Sequence, residues 1–324
     1  MEGGILLQTL YIFGNGFDIA HGIRTPYAAF REFLKENHES FLTTFESMYN
    51  IQPVDDTEPW YTKEAQERWD MSVINDLWWS FEEKIGHPDV EGMYDSAYSM
   101  VDTMPMEGII DTMNVYWREQ YGFVDKLQKY VLEWLQTIDT SQAMCKKDSL
   151  INNRNDLFMS FNYTDTLEKV YGIKDVLHLH GGIPSCCEIA PIMGHGNKYI
   201  IDLYRRKAKE AQEEYVEWYE SICNAIADFC ESLYKDTDAI ISENDDFFSA
   251  LWDVNQVVCL GLSFGDVDVP YLDRIEYEVR PETKWLVYYH SDEDLKRLKS
   301  VFGITGISRK FEVYFRKSDN FWDR

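Results

Sequence analysis

The chain has 324 residues, 45% hydrophobic and 15% aromatic with 10 tryptophans, which excludes a disordered chain and is enough for a large core or two cores. Against 31 basic residues stand 57 acidic ones, for a net charge of −26. A surface that acidic repels phosphate backbones, so no non-specific nucleic-acid binding is expected. The densest basic cluster, Arg205, Arg206, Lys207 and Lys209, reads as a solvated helix face. The opening MEGGILLQTLYIFGNG lacks a basic n-region and runs into glycine, so no signal peptide is expected. No apolar stretch approaches ~18 residues, so no membrane partner is expected either, and the location implied is cytoplasmic. The cysteines at 145, 186, 187, 223, 230 and 259 lack the spacing of a disulfide framework.

In chain order, Gln8–Phe13 is rich in β-formers and meets Gly-Asn-Gly, which predicts a strand entering a tight turn, with a helix starting near Asp18 as its cap. From Tyr27 the spacing becomes helical. Tyr27, Phe30, Phe33 and Leu34 recur on one face, the acidic, proline-flanked stretch Val54–Pro59 interrupts, and Trp69, Val73, Leu77 and Phe81 mark a further stripe. Another runs from Met113 through Trp117, Tyr121 and Val124 to Leu135, so residues 27–140 read as a helical block. Short apolar segments follow at Asp156–Phe161, Val176–Leu179 and Glu188–Met193, then a second helical block over about 203–235. Gln256–Leu262 is an unbroken apolar run, as a central strand buried on both faces requires. Lys284–Tyr289, an amphipathic Asp292–Phe302 and a last strand Lys310–Phe315 complete the chain.

Short buried strands alternating with helices predict an α/β protein, a Rossmann-like, mostly parallel sheet with two large helical insertions. The core is expected over about 1–26, 150–200 and 254–324, and the insertions over about 27–149 and 201–253. Ligands of open parallel sheets bind beyond the carboxyl ends of the strands. The strand ends here read Gly14-Asn15-Gly16-Phe17-Asp18, Asn162-Tyr163-Thr164-Asp165, His178-Leu179-His180-Gly181-Gly182, Gly194-His195-Gly196 and Gly261-Leu262-Ser263-Phe264-Gly265-Asp266. A purely structural sheet has no need to gather such residues on one edge.

Each of these has two readings. Gly14 and Gly16 would let backbone N–H groups approach a phosphate, but position 19 is Ile where the dinucleotide fingerprint has its third glycine, and a tight turn explains them equally well. His180 could serve as a general base or be a core histidine. Asn162 could hold a ribose or simply end a strand. Asp266 and Asp268, before Pro270, suit helix capping better than a metal. Adjacent Cys186 and Cys187 are poorly spaced for zinc, while Cys223 and Cys230 share a helix face and read as core.

The ordered motifs GNGFDIAHGIRTPYAAF, W-x-x-F-E (Trp78 to Glu82), FNYTDTLEKVY, HLHGG, GHG and GLSFGDVDVPYL, over about residues 10–290, resemble the abortive-infection H (AbiH) family of bacterial anti-phage proteins. More distantly, Gly14, Gly16, Gly22 and Ile23 are similar to the glycine-rich segment of sirtuins, Asn162 to their motif asparagine, and His180-Gly181 to their catalytic His-Gly. The loop Gly261 to Asp266 resembles that of sirtuin-like defence NADases. Asp18 stands where sirtuins have serine, Thr164 where the motif aspartate would be, with Asp165 one place later, and the paired zinc cysteines are absent. The missing zinc cysteines argue against deacetylation.

The resemblance implies a sirtuin-like core that binds NAD or a related nucleotide and hydrolyses its nicotinamide–ribose bond. Asn162 and His180 would carry the chemistry. Gly14, Asn15, Gly16, Asp18, Thr164, Asp165, Gly181, Gly261, Ser263 and Asp266 would hold the nucleotide, with no metal. A phage protein would serve as trigger, and the helical insertions as lid, sensor or contact with a second copy of the chain. The alternatives are a nucleotide sensor that does not cleave, or a metal-dependent nuclease using His178, His180, His195, Asp266 and Asp268.

Overall fold

The structure, a computed structural model, describes residues 8–52, 62–103, 109–146 and 155–322; Val54–Pro59 and the expected boundary near 149 lie outside them. The chain divides into two compact units, one of Met1–Pro26, Leu132–Ile192 and Asp236–Arg324, the other of Tyr27–Val131 and Met193–Lys235. Among the described residues no helix is long and apolar enough to cross a membrane.

The first unit is built on a sheet of six described strands: β1 Gln8–Phe13, β2 Leu157–Ser160, β3 Val176–His178, β4 Val254–Leu260, β5 Lys284–Tyr289 and β6 Glu312–Lys317. Their order is β3-β2-β1-β4-β5-β6, and every neighbouring pair is parallel. This is the Rossmann order, with its direction of winding reversing between β1 and β4. The apolar runs explain why these segments form the sheet. Leu10, Ile12, Val257, Cys259, Trp285 and Val287 enter the core on one face. Phe13, Val258, Leu260, Leu286 and Tyr288 enter the core on the other, so the central strands are buried on both sides.

Three expectations need correction. Glu188–Met193 is not a strand. Pro191 lacks the N–H a ladder needs, and the segment bonds instead to the turn after β3, through Gly182 N to Ile189 O (3.0 Å) and Ile192 N to His180 O (2.8 Å). The first helix starts at Asn15, with Gly14 as its cap, and Asp18 lies inside it. The last strand begins at Glu312, because Ile307–Lys310 forms a helical turn.

At the reversal point the chain comes close to itself. Gly14 N donates to Leu260 O at 3.0 Å and Gly16 N to Gly261 O at 2.9 Å. A Cβ on Gly261, whose φ is +73°, would lie 2.4 Å from Phe17 N and 2.7 Å from the Gly16 carbonyl carbon. Glycine is required there twice over, for its dihedral and for the backbone contact.

The second unit is helical, and the motif from Trp78 to Glu82 is part of its interior. Trp78 stacks on Phe81 at 4.5 Å, and its indole N–H donates to Glu46 Oε1 at 2.8 Å. Glu46 is also paired to the buried Arg31 at 2.7 Å. Glu82 neutralises Lys235, a fully buried lysine, at 2.8 Å. His195 bridges in parallel to Tyr234, its Nε2 donates to Cys230 O at 2.9 Å, and its Nδ1 accepts from Asn197 N at 3.0 Å. Burial pushes its pKa down to about 4, so the imidazole is a neutral structural bridge. Cys223 and Cys230 are fully buried on the Glu217–Ser232 helix, as their spacing indicated.

Gly22 shares a left-handed φ of +80°, but nothing lies within 4 Å of its Cβ position. Gly22→Ala is therefore expected to cost ~1 kcal/mol from dihedral strain alone. Gly261→Ala should cost at least twice that in urea unfolding. Equal losses would show that the contact between the two loops is not tight.

Candidate functional site

The parallel ladder runs past the strand ends and carries the loops into register. Phe161 N donates to Phe13 O at 2.9 Å, and Leu179 N to Ser160 O at 3.0 Å. Together with the Gly14 bond to Leu260, this places the loops after β1, β2, β3 and β4 side by side along the carboxyl edge of the sheet.

The loop after β2 ties them together through the polar residues of Asn162–Thr166. Asn162 Nδ2 donates to Gly14 O at 3.1 Å. Tyr163 OH donates to Ile192 O at 3.2 Å, and its carbonyl accepts from Ile183 N at 2.9 Å. Thr164 and Thr166 donate to the two oxygens of Asp18, at 2.6 and 2.7 Å. Asp165 accepts from Lys169 at 2.8 Å and from the hydroxyls of Thr140 and Ser185. The two aspartates differ in their electrostatics. Asp18 is buried with hydroxyl partners and, among the described residues, no directly paired cation; burial outweighs the hydrogen bonds from Thr164, Thr166 and Asn162 and pushes its pKa up to about 6. Burial raises Asp165 as well, but Lys169, with Ser185 and Thr140, outweighs it and holds that carboxyl below its ordinary value.

The histidines of the third loop part company. The strand ends at His178, whose ring is buried between the Asn162 carbonyl (3.1 Å from Nδ1) and Glu168 Oε1 (2.8 Å from Nε2). His180 lies in the turn beyond, 3% exposed, its ring edge-on to Phe161 at 5.2 Å and tilted against Tyr271 at 5.5 Å. Gly181 has φ +67°, and a Cβ there would sit 2.3 Å from Ala190 O.

Of the predicted ligand contacts, Gly14, Gly16 and Gly261 face one another. Asn15 is bound to Thr25 through both ends of its carboxamide. Asp18, Asn162, Thr164 and Asp165 form the junction just described. Ser263 and Asp266 are exposed on the loop after β4, where buried Phe264 takes a left-handed φ of +47°. A bulky residue in that region costs ~1–2 kcal/mol, so the loop is held by its surroundings. Asp268 occupies the cap position before the Val269–Glu278 helix without a side-chain cap bond, and Pro270 falls in its first turn. His195, one of the nuclease alternative's candidates, has both ring nitrogens engaged, by Cys230 O and Asn197 N. Among the described residues no three His, Cys, Asp or Glu side chains gather as a metal ion requires.

Sequence reasoning passed over Thr140, Thr166, Glu168, Lys169 and Ser185. Thr166 carried a signal, since it repeats Thr164 two residues on. Thr140 carried none, because its partner Asp165 is 25 residues away.

The fold and site thus define an all-parallel α/β protein of Rossmann strand order, its polar loops gathered at the reversal point. A family model described as bacteriophage abortive infection AbiH matches residues 10–289, and the chain belongs to that family. Membership gives it a role in abortive infection by bacteriophage. No curated protein matches it in sequence.

Because Asp18 takes up its proton more readily when folded, its contribution to stability is complete below its ordinary pKa of 3.8 and lost as pH rises through about 6. Asp18→Asn removes the charge. Between pH 4 and pH 7 the stability of Asp18→Asn relative to the parent should rise by up to ~3 kcal/mol in chemical denaturation. A difference that does not change with pH would show that Asp18 is not buried as a carboxylate.

Proposed function

We propose that the chain is an abortive-infection effector whose parallel-sheet unit binds NAD, or a closely related nucleotide, and hydrolyses its nicotinamide–ribose bond. The observation that carries this reading is the reversal point of the Rossmann-ordered sheet, where the loops after β1 and β4 meet and Asn162 reaches across to Gly14. The likeness of Asn162 and His180-Gly181 to the sirtuin motifs supports the same chemistry.

On this reading the phosphate does not rest on the first helix. Gly16 N and Phe17 N already donate to Gly261 O and Gly14 O. The nucleotide is instead held at the rim. The exposed hydroxyl of Ser263 suits a phosphate, and the exposed carboxylate of Asp266 suits ribose hydroxyls. Asn162 orients the nicotinamide ribose. His180 accepts a proton from a ribose hydroxyl or from the attacking water as the C–N bond breaks. Nicotinamide leaves as a neutral molecule with the bonding pair, and water supplies the new C–O bond, so the step needs no Lewis acid. A second reading, binding without cleavage, draws on the burial of His180 between Phe161 and Tyr271.

Purified protein incubated with NAD should release nicotinamide. His180→Ala should slow that release by ~10²–10⁴-fold while the protein stays folded. Undiminished release by a folded His180→Ala protein would contradict the mechanism. NAD binding without release by the parent would establish the second reading.

A further inference from the structure

The helical unit holds a cleft of its own, about 460 Å³, between the Ile109–Tyr121 and Glu217–Ser232 helices. That volume lies within the range of small-molecule sites. Asn114, Trp117, Arg118 and Tyr121 line it at the spacing of one helical stripe, facing Ser221 and Asn224.

Hydrogen bonding within the cleft decides what it can recognise. Asn114 Oδ1 accepts from Ser221 Oγ at 2.7 Å, and Asn224 Oδ1 from Arg205 Nη1 at 3.3 Å. Both carboxamide oxygens are therefore engaged, and each amide keeps its Nδ2 donors for another partner. Arg205 is balanced by Asp228 at 2.6 Å and Glu231 at 2.5 Å. Arg118 is exposed, and no described carboxylate pairs with it. The buried indole N–H of Trp117 has no acceptor among the described residues. Beside these donors, Trp117 and Tyr121 stack at 5.4 Å with ring planes 7° apart, Tyr121 being the half-buried ring. The cleft also holds the carboxylates of Asp125 and Asp228, the latter paired with Arg205, so Arg118 is its one cation without an ion pair among the described residues; with the amide donors and the flat aromatic surface it fits a planar, acceptor-rich anion.

We propose that this cleft binds a nucleoside monophosphate, its base against Tyr121 with the Asn114 and Asn224 amides on the base acceptors, and its phosphate on Arg118. The assignment stands independently of the sheet site.

Isothermal titration of the full chain with AMP, adenosine and ribose 5-phosphate tests it. AMP should bind most tightly, since only it offers both groups. Arg118→Ala alters an exposed side chain and should fold normally; it should weaken AMP at least tenfold and leave adenosine unchanged. Tyr121→Leu should weaken AMP and adenosine alike. No AMP binding at millimolar concentration, unchanged AMP affinity in Arg118→Ala, or ribose 5-phosphate binding as tightly as AMP would each overturn the proposal.

Discussion

A carboxylate withdrawn from water must be met by donors, and Asp18 is met by the hydroxyls of Thr164 and Thr166. That contact joins the helix after β1 to the loop after β2, elements 146 residues apart in sequence. It is the polar link between the loops after β1 and β2 on the carboxyl edge. With the two loops joined, the Asn162 amide reaches Gly14 O, beside the Gly16–Gly261 contact that the β1–β4 pairing brings together. Among the described residues no cation balances Asp18 directly, so the junction tolerates a protonated carboxyl, whereas Asp165 nearby is held ionised by Lys169.

The sheet was legible because its strands are short apolar runs buried on both faces. Gln8–Phe13 and Lys284–Tyr289 could be read to the residue, and Gln256–Leu262 showed itself as central through the absence of alternation. Glu188–Met193 has strand-like composition but a proline and no strand beside it, and propensity alone does not reveal a missing neighbour. The site was legible as a set of loops and not as a set of contacts. A Gly-x-Gly turn before a helix reads the same whether its N–H groups meet a phosphate or another loop's carbonyl. Only the approach of Gly261, fixed by the β1–β4 pairing, decides for the carbonyl. In the same way Asp18 looks like a cap until Thr164 and Thr166 are brought to it.

Two of the sequence motifs, Trp78 to Glu82 and Gly194–Gly196, serve the helical unit's interior. Trp78, Phe81 and Glu82 form a stacked pair and the counter-charge of buried Lys235, and His195 links the segment before the Lys198–Glu213 helix to the end of the Glu217–Ser232 helix. Each leaves a buried charge or ring nitrogen that a simple apolar substitution would strand, which accounts for polar residues in this unit's interior.

The central claim, that a nucleotide rests on the loops at the reversal point of the sheet, is tested most directly by amide hydrogen exchange with a non-hydrolysable NAD analogue. The account predicts slowed exchange in peptides covering Gly14–Asp18, Asn162–Asp165, His180–Gly182 and Gly261–Asp266. Unchanged exchange in all four, with the analogue bound or protecting only residues elsewhere, would contradict it.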